Sequence, residues 1–172
     1  MSFDKNSIKT SIYSLDKISV KNRFYIKRDD LYPFSFGGNK ARKAVLYWKE
    51  LEKKKADCVV TYGSCSSNHC RVISNLAAMK GIPCIIISPI ENSEETFNSD
   101  MMTLFGAEIR QVPVKYVSDT IDETLHNLRM KGKNPYFIMG GGHGNIGTQA
   151  YVDVYHEICE YEKEHGIWFD YI

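Results

Sequence analysis

The first segment that could do chemistry is Phe36–Lys43, which reads Phe-Gly-Gly-Asn-Lys-Ala-Arg-Lys. Its cations Lys40, Arg42 and Lys43 fall in the first turn of a predicted helix, which Asn39 is expected to cap. The helix macrodipole is positive at this end, so each exposed cation there costs about 0.3–1 kcal/mol. Such a turn favours an anion site or a lysine of lowered pKa, and a solvated Lys/Arg turn is the alternative.

A second segment, Gly63–Arg71, reads Gly-Ser-Cys-Ser-Ser-Asn-His-Cys-Arg and lies between a strand pattern and a helix pattern. Ser67 or Asn68 is expected to cap that helix, which leaves backbone N–H groups free for a carboxylate or a phosphate. Ordinary capping within a serine-rich turn is the alternative. His69, taken alone, is typical of a helix face.

Cysteine and histidine in the second segment could also bind a metal or act as a nucleophile. Cys65, His69 and Cys70 lack the second pair of ligands that zinc sites carry, so we predict no metal site. A nucleophilic Cys65 would have its pKa lowered at the helix start, but the sequence places no orienting carboxylate beside it. Neither chemistry is favoured.

The third segment, Met139–Gly147, is rich in glycine and again lies between a strand pattern and a helix pattern. It is not a phosphate-binding P-loop, but Gly142, Gly144 and Gly147 match the G-x-G-x-x-G pattern of dinucleotide sites. The acid that would confirm such a site should end the next strand, whereas Asp170 lies in the middle of it. A closely packed glycine turn is therefore favoured over dinucleotide binding.

Alternating strand and helix patterns connect these segments. Strand patterns occur at residues 57–62, 82–88, 108–112 and 136–139, and the continuous apolar character of the first two predicts strands buried on both sides. Apolar residues at helical spacing form three stripes, at Ala44, Val45, Trp48 and Leu51, at Ile121, Thr124, Leu125 and Leu128, and at Tyr151, Val154, Tyr155 and Ile158. Helix ends are expected at Gly81, Gly106 and Gly166. The alternation predicts an α/β fold with a doubly wound parallel sheet, whose ligands bind at the carboxyl ends of the strands.

Both ends of the chain carry further strand patterns. Arg23–Arg28 precedes the first helix, and Trp168–Ile172 begins a new strand at the last residues. Because a buried parallel strand ordinarily leads into a loop and a helix, the second pattern indicates an incomplete polypeptide.

Composition argues against several classes of protein. The 172 residues carry a net charge of +1, which gives no electrostatic basis for binding nucleic acid or an anionic membrane. No apolar run is long enough to span a bilayer, and the first residues lack the apolar core of a secretory signal. The five cysteines are scattered and odd in number, which is typical of reduced thiols. We expect a cytoplasmic protein without nucleic-acid or membrane partners.

Taken together, the motifs resemble one enzyme family. Ile26–Leu31, the Gly-Gly-Asn-Lys-x-Arg-Lys motif at 37–43 and the Ser-Asn-His-x-Arg motif at 67–71 resemble, in order and spacing, the 1-aminocyclopropane-1-carboxylate (ACC) deaminase / D-cysteine desulfhydrase family of fold-type II pyridoxal-phosphate (PLP) enzymes. Leu104–Glu108 and the glycine turn with its following helix resemble further parts of that family. Because the glycine turn is part of the resemblance, it argues against dinucleotide binding at that turn. The resemblance covers nearly the whole chain and identifies it with the N-terminal half of such an enzyme.

The resemblance implies a division into domains. Residues 1–43 would be the N-terminal part of a large PLP domain with its lysine loop. Residues 44–152 would be a small α/β domain, and residues 153–172 the start of the incomplete remainder of the large domain.

The resemblance also implies roles for single residues. Lys40 would be the Schiff-base lysine, Lys43 would lie near the cofactor phosphate, Asn68 would hydrogen-bond the pyridoxal ring oxygen, and His69 would line the ring. Ser67 and nearby N–H groups would hold the substrate carboxylate and assist proton transfer. A small D-amino acid or cyclic amino acid would lose a proton, and β-elimination or ring opening would release ammonia and a 2-keto acid.

Two departures from the family bear on activity. Ser66 stands where members often carry Gln, and Gly63-Ser64-Cys65 replaces a Gly-Gly-Ile-like segment, so the substrate stays open. The glycine- and threonine-rich loop that binds the PLP phosphate in the family follows the strand resembling residues 169–172 and is not in this sequence.

The missing phosphate loop implies that this chain alone binds PLP weakly and turns over poorly. A second chain could supply the C-terminal half, and a homo-oligomer is expected. The alternative is a non-catalytic split-gene half or remnant that serves as a binding or scaffold subunit. Other fold-type II activities are disfavoured, because enzymes with those activities have different lysine loops.

Overall fold

A computed structural model of the chain describes residues 8–15, 18, 21–92 and 94–172. Strands and helices alternate along it, as the sequence patterns predict. In chain order they are β1 Ile12–Ser14, β2 Tyr25–Lys27, α1 Asn39–Lys54, β3 Cys58–Tyr62, α2 Asn68–Lys80, β4 Cys84–Pro89, α3 Phe97–Leu104, β5 Glu108–Val112, α4 Val117–Met130, β6 Pro135–Ile138 and α5 Asn145–His165. The glycines expected to end helices lie directly after α2 and α5 and two residues after α3.

Strands β3 to β6 form one parallel sheet in the order β5-β4-β3-β6. The chain runs outward from β3 to β4 and β5 and then returns to β6 on the other side of β3. The topological switch point therefore lies between β3 and β6, where the loops that follow the two strands diverge and leave room for a ligand. The predicted doubly wound parallel sheet is confirmed.

Helices cover both faces of this sheet. On one face, α1, α2 and α3 bury apolar side chains against it, among them Leu51, Ile73, Leu76 and Met102. On the other face, α4 packs Ile121 and Leu125 against Val60, Ile85 and Ile87. Burial from both sides explains why β3 and β4 are apolar at successive positions instead of alternating.

A separate two-stranded antiparallel sheet is formed by β1 and β2. The strand predicted within Arg23–Arg28 is therefore confirmed as β2. Its Tyr25 ring packs edge-on against Phe169, with ring centroids 4.9 Å apart. No helix in the described parts of the chain is long and apolar enough to cross a membrane.

Three sequence predictions are wrong. Trp168–Ile172 forms no strand, since a strand needs a partner for its backbone hydrogen bonds and none of the described strands pairs with it. The apolar stripe of α5 is fully buried only at Ile158, because α5 packs on α1 instead of the sheet and leaves Tyr151 and Tyr155 about half exposed. Asn39 does not cap α1. The capping position is Gly38, whose φ of 83° suits glycine, and the Asn39 amide donates to Tyr151 Oη at 2.8 Å.

Candidate active site

Two of the three chemistry-bearing segments meet at the switch point, because one follows β3 and the other follows β6. The segment after β3 opens α2, and the glycine segment after β6 forms a tight turn, Gly140–Gly142, before α5. The lysine segment reaches the same place from α1, which packs against both that turn and α5.

Lys40 lies one residue into α1 and extends to the glycine turn. Its Nζ donates to the carbonyl oxygen of Gly141 at 2.9 Å. Partial burial lowers the pKa of Lys40, and the like charge of Lys43 lowers it further. A larger fraction of this amine is therefore neutral, and so nucleophilic, than of an exposed lysine.

Lys43 reaches the same turn from one helical turn further along α1. Its Nζ donates to the carbonyl oxygens of Gly141 and Gly142 at 3.1 and 3.3 Å, and it lies 5.1 Å from the centre of the Tyr151 ring. The side chain is 5% exposed. No acid in the described part of the chain forms an ion pair with Lys40 or Lys43, so two ammonium groups share one neutral acceptor.

Arg42, the third cation of this turn, has a different environment. Its guanidinium binds the carboxylates of Asp29 and Glu157, each at 2.6 Å, and Thr10 Oγ1 at 2.9 Å. Lys27 also binds Glu157 at 2.6 Å. Arg42 therefore joins α1 to α5 and to the segment after β2, and its charge is balanced within the fold.

His69 is buried beside the glycine turn and is held in one tautomer. Thr61 Oγ1 donates its single proton to the carbonyl oxygen of Ile138 at 2.7 Å, so it can only accept from His69 Nε2, 2.9 Å away. Burial, with the charges of Lys40 and Lys43, lowers the pKa of His69 to about 3. The imidazole is therefore neutral, with its proton on Nε2.

Ser67 and Asn68 lie at the start of α2, and the prediction that one of them caps this helix is confirmed for Ser67. Its Oγ accepts from the backbone N–H of Cys70 at 3.3 Å. Asn68 is exposed, and its Oδ1 accepts from Asn98 Nδ2 at 3.1 Å. Within the described residues neither side chain hydrogen-bonds to Lys40, so these two candidates share the switch point with the lysine without contacting it.

Arg71 connects the second motif to the lysine loop. Its Nη1 donates to the carbonyl oxygen and the hydroxyl of Ser35, and its guanidinium carbon lies 5.2 Å from the centre of the Phe36 ring. Ser35 and Phe36 adopt positive φ angles of 46° and 62°, which non-glycine residues rarely do. The contact with Arg71 holds this strained loop in place and joins the start of α2 to the residues that precede the lysine motif.

The glycine segment is a packing feature of the site. A Cβ on Gly147 would lie 1.8 Å from the carbonyl oxygen of Gly142, and one on Gly140 would lie 2.8 Å from the Tyr62 ring. The turn therefore packs against α5 and β3 as closely as backbone allows. Of the glycines in the G-x-G-x-x-G match, Gly147 is required by this packing, whereas Gly142 and Gly144 have positive φ angles of 64° and 108°.

The other chemistries considered for the second segment find no support in the geometry. The described residues contain no group of three His, Cys, Asp or Glu side chains that could hold a metal. Cys65 is buried, and its Sγ lies 3.7 Å from Ser88 Oγ and 3.8 Å from Gln111 Nε2, neither of which is a base.

Sequence reasoning did not identify three groups of this site. These are the Gly141 carbonyl that both lysines bind, the Thr61 hydroxyl that fixes His69, and the Asn98 amide that binds Asn68, which lie 101, 8 and 30 positions from Lys40, His69 and Asn68. No local pattern marks them, although Thr61 lies in the strand that leads into the second motif.

This chain is similar in sequence and in fold to known pyridoxal-phosphate dependent enzymes. A profile of the pyridoxal-phosphate dependent enzyme family matches residues 5–172. The D-cysteine desulfhydrase of Serratia proteamaculans (strain 568) is 30% identical over 93% of this chain and 51% of its own length. That of Salmonella paratyphi A is 33% identical over 81% of this chain and 45% of its own. A crystal structure of an ACC deaminase homologue matches with a TM-score of 0.79, at 33% identity, over 88% of this chain and 48% of that one. The chain thus spans about half the length of the curated relatives it matches.

Proposed function

The chain belongs to the family of pyridoxal-phosphate dependent enzymes, and from this premise we propose that it is the lysine-bearing part of a lyase or deaminase. The substrate would be a small amino acid of the D-cysteine or ACC type, and the products ammonia and a 2-keto acid. The observation that carries the proposal is Lys40, an amine of lowered pKa that shares the Gly141 carbonyl with Lys43 at the switch point.

The donor set at the glycine turn fits PLP, which carries an aldehyde and a phosphate. Lys40 offers a nucleophilic amine to the aldehyde. Lys43 binds only neutral carbonyl oxygens among the described residues, so its charge is available to a phosphate. The turn approaches the amine closely and accepts only glycine at this point, since a Cβ on Gly141 would lie 3.5 Å from Lys40 Nζ and 2.8 Å from His143 Nε2.

Each candidate residue then has a task. Bound PLP would supply an aldehyde that captures amines and a ring that withdraws electrons. Lys40 Nζ would hold the cofactor and, once released by the substrate amine, would accept and return a proton at the substrate carbon. Asn68 would donate to the ring oxygen. His69 would line the ring as a neutral imidazole, because its pKa of about 3 keeps it uncharged.

Ser67 would bind the substrate carboxylate. Its Oγ already accepts from the Cys70 N–H, which leaves the hydroxyl proton free to be donated to a carboxylate oxygen. The backbone N–H groups at the start of α2 favour the same negative charge. The same hydroxyl would carry a proton to or from the substrate during elimination.

A match to about half of each relative supports a further part of the proposal, in which a second polypeptide supplies the C-terminal half of the site. The same observation favours a second candidate function, that of a non-catalytic binding or scaffold subunit. A homo-oligomer is a separate part of the proposal. We also propose the division into residues 1–43, 44–152 and 153–172, although its two boundaries fall inside α1 and α5.

Covalent trapping with PLP tests the role of Lys40. After incubation with PLP and reduction with borohydride, peptide mass spectrometry should find the cofactor on Lys40 ahead of other lysines. The pH midpoint of coupling should lie below that of an exposed lysine, because the pKa of Lys40 is lowered. Lys43→Gln should move this midpoint upward, since it removes a like charge, whereas Lys49→Gln, on the exposed side of α1, should leave it in place.

Coupling at Lys40 no faster than at Lys49 would contradict the proposal. The scaffold candidate would be favoured if Lys40 takes up PLP but neither D-cysteine nor ACC gives a keto acid, even when a chain carrying the complementary half is added.

A further inference from the structure

A hydrogen-bond relay from α3 reaches the exposed amide at the start of α2. Asn98, the second residue of α3, donates from Nδ2 to the backbone carbonyl of Ser66 at 2.7 Å and to Asn68 Oδ1 at 3.1 Å. These acceptors occupy both protons of the Asn98 amide nitrogen. The side-chain amides of Asn98 and Asn68 are therefore bonded to each other.

The chemistry of the acceptors fixes the orientation of both amides. The Ser66 carbonyl oxygen can only accept, so Asn98 must turn its nitrogen toward the carbonyl, because the reverse orientation would set two oxygens against each other. The same nitrogen then faces Asn68, which must present its oxygen in return. Asn68 Nδ2 is consequently turned away from α3, and it donates to no other group within the described residues.

Asn98 is itself held in place from the same loop. Thr96 caps α3, with its Oγ1 accepting from the Ser99 N–H at 3.3 Å, and it also donates from Oγ1 to the carbonyl oxygen of Cys65 at 2.9 Å. Ser99 Oγ completes the capping box by accepting from the Thr96 N–H at 2.8 Å. The start of α3 is therefore attached to two successive carbonyls of the loop, those of Cys65 and Ser66.

We propose that Asn98 is a positioning residue, which fixes Asn68 so that its amide presents an N–H donor, and not an oxygen, to the ligand at the switch point. This inference rests on the proposed function, in which that ligand is PLP and the group facing Asn68 is the ring oxygen. A donor bond to that oxygen draws electron density from the ring, whereas a flipped amide would set oxygen against oxygen.

Two substitutions of Asn98 separate positioning from a structural effect. Asn98→Ala removes the bond and leaves Asn68 free to rotate, so PLP affinity should fall about fivefold, the value of one hydrogen bond. Asn98→Asp replaces the donor by an acceptor of nearly the same shape, which attracts Asn68 Nδ2 and turns the amide the wrong way. PLP affinity should therefore fall further in Asn98→Asp than in Asn98→Ala.

Stability should differ little between the two variants. The helix macrodipole favours an acid in the first turn of α3, which offsets the repulsion between the new carboxylate and the Ser66 carbonyl oxygen, so Asn98→Asp and Asn98→Ala should unfold at similar urea concentrations. A residue that merely supports the fold would lose PLP affinity only in step with stability. A further loss of affinity in Asn98→Asp without a matching loss of stability is the result we expect.

The affinities are measured by equilibrium dialysis of the full chain against PLP and against the analogue in which hydrogen replaces the ring hydroxyl. The analogue should bind wild type, Asn98→Ala and Asn98→Asp nearly equally, because Asn68 then has nothing to donate to. Asn127→Ala, which changes an exposed asparagine on α4, is the control for loss of a side-chain amide. Equal losses for PLP and for the analogue would overturn the inference.

The ligand-free chain gives an independent measurement. The heteronuclear NOE of the Asn68 side-chain amide should report an ordered group in wild type and a mobile one in Asn98→Ala. A mobile Asn68 amide in wild type would overturn the inference, whatever PLP does. If instead the amide is ordered by Asn98 but Asn68→Ala leaves PLP affinity unchanged, the positioning stands and the proposed role of Asn68 in binding PLP fails.

Discussion

Two ammonium groups at one neutral oxygen make the glycine turn an electrostatically unbalanced point. Lys40 and Lys43 both donate to Gly141, and no acid of the described residues pairs with either. Partial burial and then their repulsion lower the pKa of Lys40, and any bound anion would relieve the repulsion. The arrangement favours an anionic ligand that also reacts with an amine, and an aldehyde phosphate is such a ligand.

At the same scale, His69 should make stability depend on pH. Its pKa in the folded protein is about 3, against an ordinary value of 6.5. Between these two pH values the imidazole is protonated in the unfolded chain and neutral in the folded chain. The free energy of unfolding should therefore fall as pH drops from 6.5 toward 3, by up to about 1.4 kcal/mol for each pH unit. Above pH 6.5 the imidazole is neutral in both states, so the full stability is present and no longer depends on this group.

Urea unfolding of wild type and His69→Gln at several pH values measures this effect. Gln can still donate to Thr61 but does not titrate, so the slope below pH 6.5 should be shallower in the variant. His126→Gln, at an exposed position of α4, is the matched control. Parallel slopes for wild type and His69→Gln would refute a neutral buried imidazole.

At the scale of elements, α1 is the part that brings the lysines to the sheet. Its inner side chains pack on α2 and the sheet, and Arg42 joins it to α5 and to the segment after β2. The position of Lys40 therefore depends on the charge network that Arg42 forms with Asp29 and Glu157. Burial of that network makes an unbalanced charge within it costly.

Removing one partner of this network should destabilise the whole packing of α1 on α5. The Glu157 carboxylate forms ion pairs with both Arg42 and Lys27 and is nearly buried. Glu157→Gln would leave two buried cations undercompensated, at a cost of about 3 kcal/mol. Urea unfolding should show it, and covalent coupling of PLP at Lys40 should slow as α1 loosens.

Glu160→Gln provides the control on the same helix. Glu160 binds Lys9 in an exposed pair, which solvent screens, so its loss should change stability little. Equal destabilisation by the two substitutions would show that the network does not hold α1.

At the scale of the molecule, one side of the fold is markedly apolar. The segment after α5 and the β1–β2 sheet form a groove, where Trp168, Tyr171 and Ile172 are 75–94% exposed. Contiguous exposed apolar surface of this kind is typical of a protein interface. The proposed homo-oligomer, or a completing chain, would cover it.

We expect the chain to self-associate through this groove. In sedimentation velocity, the fraction of dimer or larger species should rise with concentration and should fall when Trp168→Ser and Tyr171→Ser are combined. Leu104→Ser is the control, since Leu104 is also 75% exposed but lies on α3, away from the groove. A monomer at every concentration would contradict this use of the surface.

The sequence by itself determined the element order, the parallel sheet and the three loops that carry chemistry. These follow from local physics, since strands buried on both faces must be apolar at every position and helices end where glycine follows. The family was also accessible from the motifs, because the spacing of the lysine loop and the Ser-Asn-His-x-Arg motif is specific. Cytoplasmic location and the domain boundaries stay predictions.

Only the tertiary structure decided which groups meet. The shared Gly141 carbonyl, the single tautomer of His69 and the amide pair of Asn98 and Asn68 join residues up to 101 positions apart. The exposure of Tyr151 depends on the packing of α5 against α1. Residues 168–172 form no strand because none of the described strands pairs with them. A side chain's hydrogen bonds and burial depend on what the fold places beside it, and sequence spacing does not contain that information.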